Sequence, residues 1–216
     1  MRLFHGKIVG ENKLPRHFRL LVSGPTGSGK TYWVEKLLKS KRIRKKFSHI
    51  YYCYPDQFED TPNDWDSWED TIVTFVPYIP DIDFFKNMKK NSLIVFDDNF
   101  TESIQSSAVS QALKIHSRRR FSVIMITQMF YELGPYARVI RNQLSGVVLF
   151  RNFGDININK RVAQQLGVMD QFTQAEKFTK DEKYNPVVIL SPEIINSPEM
   201  RVQVSYLSDN YSYCFK

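Results

Sequence analysis

Cysteine is nearly absent from this 216-residue chain: Cys53 and Cys214 stand far apart, outside any CxxC or Cys/His cluster. That scarcity excludes a disulfide framework and a thiolate zinc site, and it suits a reducing compartment. No apolar run approaches the roughly 18 residues that a membrane-crossing helix needs. The start, MRLFHGKIVGENKLPRHF, lacks the apolar stretch of a secretory signal. The expectation is a soluble, intracellular protein that is not secreted. Internal repeats, low-complexity blocks and a dividing linker are also missing. One domain over 1–216 is therefore expected, with a core at about 18–155 and a C-terminal extension at about 156–216.

What is present is enough apolar matter to fold. Hydrophobic residues make up 42% and aromatics 14%, which excludes a wholly disordered chain. The formal charge of +7 biases the partners towards polyanions such as nucleic acid.

Apolar patterning orders the elements. Leu20 to Ser23 reads as a short buried strand, and KTYWVEKLLKS carries Trp33, Val34, Leu37 and Leu38 at helical spacing. SHIYYCY (48–54) and TIVTFV (71–76) are β-branched and aromatic runs bounded by turn formers, so both predict strands. YYCY reads as core strand. The acidic stretch PDQFEDTPNDWDSWED between them predicts a surface excursion. SLIVFDD (92–98), FSVIMIT (121–127) and GVVLF (146–150) are continuous apolar runs, as expected of strands covered on both faces. Helices are predicted near 102–116 and at INKRVAQQLGV. Such alternation predicts an α/β fold with a mostly parallel sheet and helices on both faces. The tail NPVVILSPEIINSPEMRVQVSYL adds two strands, read as a C-terminal β-hairpin.

The chemistry begins at SGPTGSGKTYW. Gly24, Gly29, Lys30 and Thr31 satisfy G-x-x-x-x-G-K-[ST], with a strand before and a helix after, as the motif requires. The loop Gly24, Pro25, Thr26, Gly27, Ser28, Gly29, Lys30 and Thr31 is expected to turn its backbone N–H groups, which proline lacks, onto phosphate oxygens, and the helix N-terminus adds a favourable dipole. Lys30 reaches the β- and γ-phosphates, and the Thr31 hydroxyl ligates Mg²⁺. These residues predict ATP and Mg²⁺ as cofactors.

LIVFDD places Asp97 at the carboxyl end of a buried strand, where it holds the metal through water. Asp98 follows, positioned to orient and polarise an attacking water. FSVIMITQ ends on Gln128, an amide suited to hydrogen-bond that water or the γ-phosphate. HSRRRF puts Arg118, Arg119 and Arg120 at the other end of that strand, away from their own subunit's nucleotide. Two readings stay open for them: a basic helix end suiting the helix dipole, or a finger reaching a neighbouring subunit's phosphates. Lys36 to Lys46, KLLKSKRIRKK, reads first as a solvated helix end and second as a DNA-facing surface.

The set GPTGSGKT, LIVFDD, RRRFSVIMITQ and ARVIRNQ…VVLFRNFGD resembles the FtsK–HerA branch of P-loop ATPases. Within it the likeness is to genome-packaging ATPases of double-jelly-roll DNA viruses and Polinton/Maverick elements, including adintovirus-like and poxvirus-type relatives. The resemblance implies a RecA-like sheet, a homo-oligomeric ring of five or six subunits, and ATP-driven translocation of double-stranded DNA into a preformed capsid. Capsid or portal proteins join the partners, and the host cytoplasm or nucleus and the virion become the expected locations. It assigns phosphate and Mg²⁺ binding to Lys30 and Thr31, the metal to Asp97, the water to Asp98 and sensing to Gln128. Arg119 lies nearest the family's arginine before the Gln strand, while Arg138 and Asn142 match a later arginine–asparagine pattern. Either arginine fits a finger acting in trans. Asp98 departs from the commoner glutamate. Two other functions fit the loop alone: a small nucleotide or nucleoside kinase, and a nucleotide-gated DNA-binding protein without turnover.

Overall fold

The computed structural model describes residues 6–9, 13–44, 46–54, 71–98, 100–115, 121–180, 182, 184–208 and 212–215. Its centre is a parallel sheet built from β2 (Arg19–Ser23), β3 (His49–Cys53), β4 (Ile72–Val76), β5 (Ser92–Asp97), β6 (Phe121–Thr127) and β7 (Gly146–Leu149). These strands lie side by side in the order β7-β2-β6-β5-β3-β4. The strand before the phosphate loop therefore sits between β6 and β7. All residues of β2 and β6 are buried, because helices or loops cover both faces.

Alternating side chains feed two cores. On one face Leu20, Val22, Leu93, Val95, Ile124 and Ile126 meet Trp33, Val34 and Leu37 of α1 (Lys30–Lys39). On the other, Leu21, Ile94, Phe96, Val123 and Met125 meet the remaining helices. Those are α2 (Ile82–Asn87), α3 (Phe100–Gln105), α4 (Ser107–Ile115), α5 (Ala137–Asn142), α6 (Ile156–Gln165) and α7 (Met169–Phe178). The helix expected near 102–116 is broken in two at Ser106, whose Oγ accepts from the Val109 N–H at 3.3 Å. A serine offers the backbone that local bond, so the helix restarts there. Of α2, α5 and α7 the apolar periodicity gave no warning: α2 and α5 are six residues long.

The tail is larger than a hairpin. β8 (Val187–Leu190) and β9 (Val202–Val204) do pair antiparallel. β8 also joins β7 antiparallel, β10 (Ser212–Phe215) joins β9, and β1 (Gly6–Val9) joins β10. The result is one 10-stranded mixed sheet in the order β1-β10-β9-β8-β7-β2-β6-β5-β3-β4. Both cysteines are buried as free thiols. Among the described residues no helix is long and apolar enough to cross a membrane. The acidic stretch 55–70 lies outside the described residues.

A buried amide ties the flank together. Gln203 is fully buried; its Oε1 accepts from Ser212 Oγ at 2.8 Å and its Nε2 donates to the Met200 carbonyl at 2.8 Å. Gln203→Ala orphans both partners, so we expect a loss of about 1–3 kcal/mol, read from the urea midpoint.

Candidate functional site

The loop from Gly24 to Gly29 is held at its base by both neighbouring strands. Gly24 N–H donates to the Thr127 carbonyl at 3.2 Å, and Phe150 N–H donates to the Ser23 carbonyl at 2.9 Å. Gly24 has no room for a side chain, since a Cβ there would lie 2.5 Å from Phe150 Cβ. Gly29 takes φ 90°, a left-handed conformation that delivers the chain into α1.

Inside the loop the donors converge. Ser28 is buried and its Oγ has no hydrogen-bond partner. Lys30 is also buried and donates from Nζ to the Pro25 carbonyl at 3.1 Å. Burial lowers the Lys30 pKa, while Asp98 and Asp97 act to raise it. A buried ammonium satisfied only by a loop carbonyl, beside an orphaned hydroxyl and a helix N-terminus, is a receptor for a polyanion.

Asp97 closes the site. Its Oδ2 accepts from Thr31 Oγ1 at 3.0 Å and from the hydroxyl of Tyr52. Burial holds the Asp97 carboxyl above its ordinary range, and the nearby Asp98 adds to this. The bonds from Tyr52 and Thr31, and the charge of Lys30, oppose the shift. Burial and the anionic neighbourhood push the Tyr52 hydroxyl far above its usual value, so it remains a donor. Thr31 and Asp97 thus present hard oxygen ligands side by side, the donor set Mg²⁺ prefers. Among the described residues no group of three or more His, Cys, Asp or Glu side chains gathers for a metal. A cation at Thr31 and Asp97 would draw on one hydroxyl, one carboxylate and phosphate oxygens.

Asp98 and Gln128 lie at the same edge of the sheet. β5 and β6 pair with Asp97 opposite Ile126, and β2 pairs with β6 with Ser23 opposite Thr127. Asp98 and Gln128, each one residue beyond its strand, are both exposed. Asp98 adopts φ 51°, a left-handed turn that Asp tolerates better than Glu. Thr127 Oγ1 donates to the Met129 carbonyl at 3.0 Å and accepts from Met129 N–H at 3.1 Å, fixing the bend that carries Gln128.

Arg118, Arg119 and Arg120 lie outside the described residues; Phe121, which follows them, pairs with Ser92 at the far edge of the sheet. Arg138 is exposed on α5 and lines a cavity of about 590 Å³ with Asn142, Arg141, Arg201 and Gly146. Gly146 also marks the far edge, level with Leu20. Within the basic run, Arg42 is structural: buried, it donates to the Ser208 carbonyl at 2.8 Å and stacks on Tyr206 at 5.3 Å.

Tyr52 is the site residue that patterning missed. In YYCY it looks like core, and it is core, packed with Ile50 on the α1 side. Only the adjacency of β3 to β5 brings its hydroxyl to Asp97. Tyr52→Phe removes one of the two hydroxyl donors to that carboxylate, so turnover is expected to fall about ten-fold or more and the thermal midpoint to drop.

The Asp97 pKa also makes a stability prediction. It is raised on folding, so the native state binds the proton more tightly, and stability contributed here is lost as pH rises from the ordinary carboxylate value through the folded one. Asp97→Asn removes a buried charge and keeps an acceptor oxygen. Without ligand at neutral pH this variant should melt above wild type, although its turnover is abolished; an unchanged or lower melting point would contradict the assignment.

Comparison with known proteins identifies the family and the fold. The Poxvirus A32 protein family profile matches residues 7–140. No individual curated protein matches the chain in sequence. The genome packaging NTPase B204 of Sulfolobus turreted icosahedral virus 2, solved with AMPPCP, superposes with a TM-score of 0.56 at 16% identity, covering 82% of this chain and 94% of that one. The same NTPase with sulfate gives 0.56 at 15%, covering 88% and 96%. B204 of Sulfolobus turreted icosahedral virus, described as a DNA-packaging ATPase, gives 0.56 at 15%, covering 84% and 95%. At such identities the structures establish the shared α/β fold of P-loop NTPases. The profile, which spans the phosphate loop, both aspartates, Gln128 and Arg138, establishes more: this chain belongs to the poxvirus A32 family of packaging ATPases.

Proposed function

We propose that this packaging ATPase moves double-stranded DNA into a preformed viral or virus-like capsid, working as a homo-oligomeric ring with Mg²⁺ and ATP. The observation that carries the catalytic part is Asp97 bonded to Thr31 of the phosphate loop, which joins the nucleotide-binding strand to the strand that ends in Asp98. The net charge of +7 suits a polyanionic track.

The residues divide the work. Lys30 exchanges the Pro25 carbonyl for phosphate oxygens, and the Ser28 hydroxyl gains the partner it lacks. Thr31 and Asp97 hold Mg²⁺, which when bound offsets phosphate charge. Tyr52 keeps the Asp97 carboxylate turned towards Thr31. Asp98 orients the attacking water, and Gln128, on the bend fixed by Thr127, bonds that water or the γ-phosphate. Arg118, Arg119 and Arg138 are the candidates for a finger that reaches a neighbouring subunit's phosphates. Host cytoplasm or nucleus, and the virion, are the compartments this function requires, with capsid or portal proteins as partners.

ATP hydrolysis should rise several-fold with double-stranded DNA, and Lys30→Ala should abolish it; a Lys30→Ala protein with normal turnover would refute the site. Arg119→Ala and Asp98→Ala proteins, each inactive alone, should regain part of the activity when mixed. If intact mixed rings stay inactive, Arg119 does not act in trans.

A further inference from the structure

The phosphate loop accounts for the phosphates and leaves the rest of a nucleotide unheld. Beside it lies a cleft of about 180 Å³, walled by Gly29, Tyr32 and Lys36 on one side and by Tyr184, Asn185 and the turn at Ser205 on the other. Strand register puts both walls at the phosphate edge. Val187 of β8 pairs with Leu149, which is level with Ser23, so Tyr184 and Asn185 rise just past that edge. β9 returns antiparallel to β8, so Ser205, which follows it, reaches the same edge.

The cleft has an aromatic character and a stiff far wall. Tyr32 and Tyr184 are 57% and 60% exposed, unlike the buried tyrosines of the core. The Tyr184 ring leans on the loop, its Cδ1 lying 3.1 Å from where a Cβ on Gly29 would sit. The Lys36 ammonium sits 4.6 Å from the centre of the Tyr32 ring. Across from them, Asn185 clamps the turn at two points. Its Nδ2 donates to Ser205 Oγ at 3.0 Å and its Oδ1 accepts from Ser205 N–H at 3.0 Å, while Nδ2 also donates to Glu182 Oε2 at 2.6 Å. The clamp holds Ser205 at φ 52°, a conformation that a serine alone would avoid. Ser208 N–H then bonds the Ser205 carbonyl at 3.0 Å, and the Ser208 carbonyl takes Arg42 at 2.8 Å. These bonds commit the Asn185 amide and the Ser205 N–H to the fold, and Pro186 has no N–H to offer.

We infer that this cleft receives the nucleoside of the bound triphosphate and grips the base by its faces, without reading its hydrogen-bonding edge. The inference rests on the phosphates occupying Gly24–Thr31. From that position the first turn of α1 directs the sugar towards Tyr32, and Tyr184 stands where a planar base stacks. Stacking is tolerant of base identity, since every base presents a π-face. The motor therefore accepts GTP, and other nucleoside triphosphates, nearly as well as ATP.

Equilibrium binding of ATP, GTP and inorganic tripolyphosphate, each with Mg²⁺, tests this on the intact chain. Wild type should bind ATP and GTP within about ten-fold of each other, and both more tightly than tripolyphosphate. Tyr184→Ala should weaken ATP about ten-fold and leave tripolyphosphate unchanged, whereas Tyr184→Phe should keep most of the difference. If ATP binding is indifferent to Tyr184→Ala, or GTP binds a hundred-fold more weakly than ATP, the base is held elsewhere or read by its edge. If tripolyphosphate binds no better to wild type than to Lys30→Ala, the phosphate-loop assignment itself has failed.

Discussion

The Asp97 carboxylate is the point on which the site depends. A carboxylate partly withdrawn from water is costly unless its oxygens are bonded and a cation is near. Here the compensation is partial: two hydroxyl donors and one buried ammonium leave its pKa still raised. The nucleotide-free protein therefore carries an electrostatic deficit at Asp97, which a metal cation bound there would offset with positive charge. Ligand binding and local stability are coupled through that deficit.

The sheet order makes the arrangement possible. Placing β6 between β2 and β5 lines up the ends of three strands, so the loop, Gln128 and Asp98 come from separate parts of the chain to one edge. The same order explains Tyr52, since β3 beside β5 puts a core ring against Asp97. Asp98 also gains a reason: a left-handed residue is needed to turn the chain out of β5, and a shorter acid fits that backbone.

How much was legible follows from how local each signal is. The phosphate loop could be read directly, because a turn, a cation and a hydroxyl must be adjacent in sequence to bind one phosphate group. The buried parallel strands announced themselves through unbroken apolar runs. By contrast β1 and β10 are four residues each and become strands only by pairing with one another and with β9. Tyr52 and the clamp between Asn185 and Ser205 were likewise invisible, because each acts through a partner distant in sequence. Arg42 shows the opposite failure: a run of like charges suggested a uniform surface, yet one member is buried and pins the Ser208 turn.

The outermost strand pairing joins Gly6 to Phe215. During synthesis β1 is made before the other described strands and has no edge to join until β10 has left the ribosome. The central parallel strands come from nearer parts of the chain, whereas that side of the sheet stays open until β10 is available. Closing so long a loop is an entropic burden that falls late, after most of the core has formed. The pairing of β1 with β10 thus joins segments far apart in sequence, and its formation carries the largest loop-closure cost in the sheet.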